Sequence, residues 1–106
     1  MAENVKITTG DWVSAVYEAQ WYIGKVIEVD NEECDALISF MEKTSTRPVS
    51  FKWPTTADEI WVCFDNVLGV IETPTPRGRS KRHYQLNQET ADMIPDLFKS
   101  WLLANR

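Results

Sequence analysis

"AVYEAQWYIGKVIEVD", residues 15–30, is the stretch on which the reading of this chain turns. Three large aromatics, Tyr17, Trp21 and Tyr22, come first, then Gly24, then the branched aliphatics Val26, Ile27 and Val29. Branched aliphatics are what a half-buried strand favours, so the aromatics at its mouth need a separate explanation. By count, Trp21 and Ile23 lie on one face and Val26 on the other. That misfit to a single alternation is expected where a strand bends sharply about a glycine, as in a small closed barrel.

Working outward, the chain from Gly10 to Glu72 reads as short strands separated by turn residues: 11–17, 21–30, 34–41, 49–53, 59–64 and 70–72. "DNEE" (30–33) is a tight hairpin connection rich in polar turn formers. "ETPTPRGRSKR" (72–82) leaves the sheet, because two Thr-Pro steps force extended or turn backbone and the basic residues after them are exposed. "HYQL" (83–86) returns as a short strand. The end is helical, capped by Asn87 or Thr90, with Ile94, Leu97, Phe98, Trp101 and Leu102 on one face. Pro95 is tolerable only near a helix start, which predicts a kink or a new start around residues 92–95. The expectation is a mainly β fold, a small five-stranded SH3-like barrel with a C-terminal amphipathic helix laid across it. Residues 1–9 form a tail or a first short strand, 10–72 the barrel, 73–83 an exposed loop, and 84–106 the last strand and helix.

With 106 residues, 43% of them hydrophobic and 25% charged, the chain is a single domain of ordinary globular composition. No apolar run approaches the ~20 residues of a membrane span, and the N-terminus lacks the basic and apolar regions of a signal peptide. Cys34 and Cys63 are isolated in sequence and read as reduced, buried thiols in a nuclear or cytoplasmic protein. With His83 as the single histidine, too few ligands exist for a structural zinc site, and no cofactor is implied. The net charge of −5 is segregated. Arg77, Arg79, Lys81 and Arg82 crowd into one loop, leaving seven cations against sixteen carboxylates elsewhere, a balance of −9. An acidic body with one basic loop hints at a polyanion contact, or at a loop that is simply solvated.

No nucleophile–base arrangement, P-loop or HExxH motif is present, so the chain is read as acting by binding rather than catalysis. The acidic pairs Glu32/Glu33 and Asp58/Glu59 sit in turn-like segments and read as solvated carboxylates. Trp61, with Ile60, Val62 and Phe64, fits a core strand, and Phe98 and Trp101 belong to the helix.

"VYEAQWYIGKVIEVD", the hairpin, "CDALISF" and "WVCFDNVLGVI" together resemble the Tudor-like members of the royal family of small chromatin-associated barrels. The resemblance spans about residues 10–72. The "Y-I-G…F-M…F-K-W-P…D" pattern also resembles small modules of uncharacterised transposon-derived proteins. Many Tudor-like modules hold methylated lysine or arginine in an aromatic cage. Carried over by position, the resemblance implies that Tyr17, Tyr22 and Phe40 wall such a cage, with Phe51 or Trp53 as a fourth wall and Glu42 or Glu18 as a nearby carboxylate. Segment 41–59 is longer than the family's usual link between its third and fourth strands. Ring faces compensate the desolvation of a quaternary ammonium by cation–π attraction, ~0.5–2 kcal/mol per contact.

The implied partner is a methylated or cationic peptide of the histone-tail type. Two other surfaces compete. The basic loop could bind nucleic acid through Arg77, Arg79, Lys81 and Arg82, with Tyr84 stacking. The apolar helix face could form a homodimer instead of covering its own barrel in a monomer.

Overall fold

The computed structural model describes residues 6–46, 49–79 and 82–105, which fold into two antiparallel sheets and one helix. The strands are β1 (Trp12–Tyr17), β2 (Gln20–Asp30), β3 (Asp35–Phe40), β4 (Glu42–Thr46), β5 (Val49–Lys52), β6 (Glu59–Cys63), β7 (Val67–Ile71), β8 (Thr75–Pro76) and β9 (His83–Gln85). The helix α1 spans Gln88–Ala104, and a 3-10 turn, Phe64–Asn66, joins β6 to β7. The first sheet has the order β6-β3-β2-β1-β7 and the second the order β4-β5-β9-β8. Mainly β architecture with a C-terminal helix is as expected. The second sheet is not.

The second sheet joins two expected strands, β5 and β9, to two that fall in stretches read as connections, β4 and β8. In residues 42–52, Thr44 and Ser50 share a hydroxyl hydrogen bond of 3.2 Å across the β4–β5 pair, and Phe51 is wholly buried. Thr75–Pro76, expected to leave the sheet, pairs with β9 instead. Proline is accommodated there because β8 is an edge strand, which needs no outward N–H.

β2 explains why both sheets exist. Its residues alternate cleanly through Gly24, and in its first half both faces are apolar because both are covered. Val26, with Val13, Ala15, Ala36, Ile38, Phe40, Val62 and Val67, forms one core, against which Tyr22 packs. Trp21 and Ile23 join Trp12, Met41, Phe51, Ile71, Leu86 and Ile94 in a second core between the sheets and under the helix. The irregularity lies beyond the glycine, as a bulge between Val26 and Glu28. Gly24 itself pairs with Phe40. A Cβ there would lie 2.5 Å from the Ser39 carbonyl oxygen and 2.6 Å from Ile38 Cγ2. A strand passing this close to its neighbour excludes any side chain.

The hairpin β4–β5 is also clipped to β2 by a charge. Lys43 Nζ sits 3.8 Å from the centroid of the Trp21 ring, and burial pushes the Lys43 ammonium below its ordinary pKa. Such a contact contributes about 0.5–2 kcal/mol.

Several expectations are corrected. The helix does not restart at residues 92–95; it runs through Pro95, with Asn87 as N-cap accepting from Thr90 N at 2.7 Å. Ala91 O loses its intrahelical donor, a cost that the wholly buried Ile94 beside it offsets. Cys34 and Cys63 are exposed rather than buried. Trp61 is 47% exposed, because alternation in β6 sends Ile60 and Val62 inward and Trp61 out. Ile7 is buried in the first core, so residues 6–9 are anchored there, while residues 1–5 lie outside the described chain.

Two stability predictions follow from this packing. Gly24→Ala will lower the unfolding free energy by about 2–3 kcal/mol, since backbone must move to admit the methyl; urea denaturation measures it. Ser14 lies wholly buried in β1, with no hydrogen-bond partner for its Oγ among the described residues. Ser14→Ala removes that unmet polar atom and will raise stability by about 1 kcal/mol in the same assay.

Candidate functional site

The β1–β2 hairpin closes in a two-residue turn, Glu18–Ala19, with positive φ at both (49° and 62°). This geometry suits the twist of the flanking strands but favours Asn-Gly. Neither residue here is one that adopts it at ease, so the turn carries backbone strain. The turn holds Tyr17 at the strand end, 38% exposed.

Around Tyr17 three of the expected cage residues come together. The Tyr17 and Phe40 rings stack with centroids 6.5 Å apart, and Tyr22 meets Phe40 edge-on at 6.0 Å. Phe40 is the buried floor, Tyr22 is half-buried and Tyr17 forms the outer lip. Phe40 reaches this place because its N–H donates to Asp58 O at 2.9 Å, tying the end of β3 to the residue before β6. The Tyr17 phenol is held above its ordinary pKa, first by the charge and hydrogen bond of Glu18, with Asp58 and Tyr22 adding to the effect. Two carboxylates therefore act on the same rim. Glu18 is one of the two expected from the sequence. Asp58 was read there as a solvated turn residue, and its only sequence signal is its place just ahead of β6.

The other expected walls lie elsewhere. Phe51 packs against Trp21 at 6.1 Å in the second core. Trp53 lies 5.5 Å from Trp12 and 6.4 Å from Tyr84, also on that side. Both belong to or follow β5, which pairs with β9 across the first sheet from Phe40, so neither can line the rim of Tyr17. Glu42 faces Lys52 at 3.6 Å across the β4–β5 pair. The rim is thus a three-ring arrangement with two acids.

The basic loop is the tip of the β8–β9 hairpin. Arg77 N donates to His83 O at 2.8 Å and Trp53 N to Arg82 O at 3.2 Å, which places Arg82 beside the Trp12–Trp53–Tyr84 cluster. Arg77, Arg79 and Arg82 are exposed; Lys81 lies outside the described residues. On the helix, Ile94 and Phe98 pack into the second core and Trp101 Nε1 donates to Asp65 O at 2.9 Å, so most of this face is engaged with its own chain, while Leu102 at its end is 42% exposed. Grooves of about 190 and 270 Å³ flank Asn87, away from the aromatic rim.

Among the described residues no group of three or more His, Cys, Asp or Glu is placed to hold a metal ion, and no helix is long and apolar enough to cross a membrane. In comparison with known proteins, no family model, no curated protein and no solved structure matches the chain.

The rim carries its own test. Glu18→Gln removes the main cause of the raised Tyr17 pKa, so the phenol will titrate at lower pH, nearer the ordinary value of 10.0. Ultraviolet difference titration against a Tyr17→Phe control reads this. Ala19→Gly, placing a residue free to take positive φ, will raise stability by about 0.5–1 kcal/mol in denaturant unfolding.

Proposed function

We propose that this chain is a non-enzymatic binding module that takes a methylated lysine or arginine side chain of a cationic peptide at the Tyr17–Tyr22–Phe40 rim. The observation that carries this is the convergence of three rings at 6.0–6.5 Å with Glu18 and Asp58 acting on Tyr17. A methylated ammonium or guanidinium has few or no N–H groups to satisfy and is weakly hydrated. Aromatic faces and a nearby carboxylate compensate its desolvation where neutral hydrogen-bond acceptors cannot. The acidic body draws a basic peptide toward the site.

The fold reading attached to this proposal is an SH3-like barrel of the Tudor kind, decorated by a second sheet and a helix. Its support is the strand order β6-β3-β2-β1-β7, the 3-10 turn before the last strand, and a β2 of eleven residues interrupted by a bulge. The same reading makes the module a reader of chromatin-type tails, and hence nuclear.

A second reading, binding of single-stranded nucleic acid at the β8–β9 tip, draws support from the position of Arg82 beside Trp53 and Tyr84. Cations on phosphates and a ring for stacking are its chemistry.

The test is an NMR titration of the labelled protein with trimethyl-lysine and dimethyl-arginine peptides, with unmodified peptides and a single-stranded oligonucleotide as controls. Methyl-dependent shifts at Tyr17, Tyr22 and Phe40, abolished in Tyr17→Ala, are expected. Absence of such shifts at millimolar peptide defeats the cage, and salt-sensitive oligonucleotide shifts centred on Tyr84 put the second reading in its place.

A further inference from the structure

The second sheet and the helix cover only part of the outer face of the first sheet. They lie over Trp12, Trp21, Ile23 and Ile71. Of the remainder, on the second half of β2, on β3 and on β6, Ile27 and Trp61 stand exposed among the described residues, while Leu37 is partly buried and Ser39 buried. Register fixes what stands there. Glu28 is opposite Leu37, and Leu37 is opposite Trp61, so the three form one row across three strands. Ile27, in the bulge beside Glu28, is 42% exposed, and Trp61 is 47% exposed. In the next row, Lys25, Ser39 and Glu59 lie opposite one another; in the row beyond, Asp30, Asp35 and Cys63. The face is therefore an apolar stripe with carboxylates on both flanks, and β6, which bears Trp61, is the sheet's edge strand.

Nothing in the packing requires a tryptophan at position 61. Its neighbours Ile60 and Val62 supply the inward contacts of β6. An exposed indole on an edge strand is an aggregation hazard unless something uses it. The charge around the stripe decides what fits. On these rows Glu28, Asp30, Asp35 and Glu59 outnumber Lys25, so the face favours cations and repels polyanions, and the segregated charge of the whole chain, −9 outside the basic loop, points the same way.

We propose that this face, centred on Trp61 with Leu37 and Ile27, is a second binding surface, and that its occupant is a Lys/Arg-rich peptide segment with an apolar anchor residue. The anchor packs on the indole, which is the side chain best suited to serve as an interface hot spot. The cations meet Glu28, Asp35 and Glu59. The edge of β6 lets an extended segment run alongside it. This surface does not depend on the aromatic rim, and its occupant needs no methylation.

The experiment titrates an unmethylated synthetic peptide of alternating lysine and leucine into the labelled full chain, with a Glu-Leu peptide as control. It is repeated on Trp61→Ala, on the charge reversal E28K/E59K, and on Tyr17→Ala. Circular dichroism checks that each variant is folded. The expected result is shifts at Ile27, Leu37 and Trp61 with the cationic peptide only. Affinity falls about tenfold or more in Trp61→Ala and by a similar factor in E28K/E59K, while Tyr17→Ala stays within about twofold of the parent. Equal loss in Tyr17→Ala would assign the binding to the rim and overturn the proposal. So would a molecular mass that rises with concentration and returns to monomer in Trp61→Ala, since a second copy would then be the occupant. Shifts that follow an oligonucleotide on this face, or no shifts with the cationic peptide, overturn it as well.

Discussion

The close passage of β2 past the end of β3, possible only because Gly24 has no side chain, is the contact on which the rest of the molecule depends. It brings Ser39 O, Ile38 Cγ2 and the Phe40 Cα within the space a Cβ would occupy. With the strands this close, Phe40 is delivered beneath Tyr22 and within stacking distance of Tyr17. One residue earlier, Ile23 faces the opposite way into the second core, and its carbonyl accepts from Met41 N at 3.0 Å, where the chain leaves for the second sheet. The aromatic rim and the attachment of the second sheet are thus consequences of one approach.

The arrangement divides labour between the two faces of the first sheet. The inner face is lined by small and branched residues such as Val13, Ala15 and Val26, which pack tightly in little volume. The outer face carries the large rings Trp12 and Trp21, which need a broad cover and receive it from Phe51, Leu86 and Ile94. Burying two tryptophans contributes several kcal/mol, which helps a chain of this length sustain two separate cores. The other end of the same face keeps Trp61 and Ile27 exposed, with Leu37 partly buried between them.

Much of this was legible in the sequence. The strands around 12–17, 20–30, 35–40, 49–52 and 59–63, the return at 83–85 and the terminal helix follow from alternation, turn residues and helical spacing. So does the grouping of Tyr17, Tyr22 and Phe40, through the positions that the resemblance supplied. What was hidden has physical causes. A strand covered on both faces shows no single apolar stripe, so β2 looked irregular where it is regular. The strands 42–46 and 75–76 carry mostly polar residues and a proline, and they exist because partners far along the chain pair with them. Phe51 and Trp53 read equally well as rim or core residues, since composition is silent on which side of a sheet a hairpin folds. Trp61 was misplaced because it was read into the core together with both of its neighbours, Ile60 and Val62, whereas alternation lets only one parity face inward. Asp58 acquires its place from a main-chain bond to Phe40, which leaves no mark on side-chain identity.

The second sheet is assembled from segments 42–52 and 75–85, with β5 joined to β9. That join sets an order of events during synthesis. All five strands of the first sheet are complete by Ile71, yet Trp12, Trp21 and Ile23 still lack Leu86 and Ile94 above them. Until those residues arrive, Trp21 has Phe51 and Lys43 beside it and Trp12 has Trp53, but neither has the cover that Leu86 and Ile94 complete. Such part-covered apolar surface favours misassembly. Residues 86–94 therefore close the second core over the first strands made. Loss of that stretch is felt on β1 and β2.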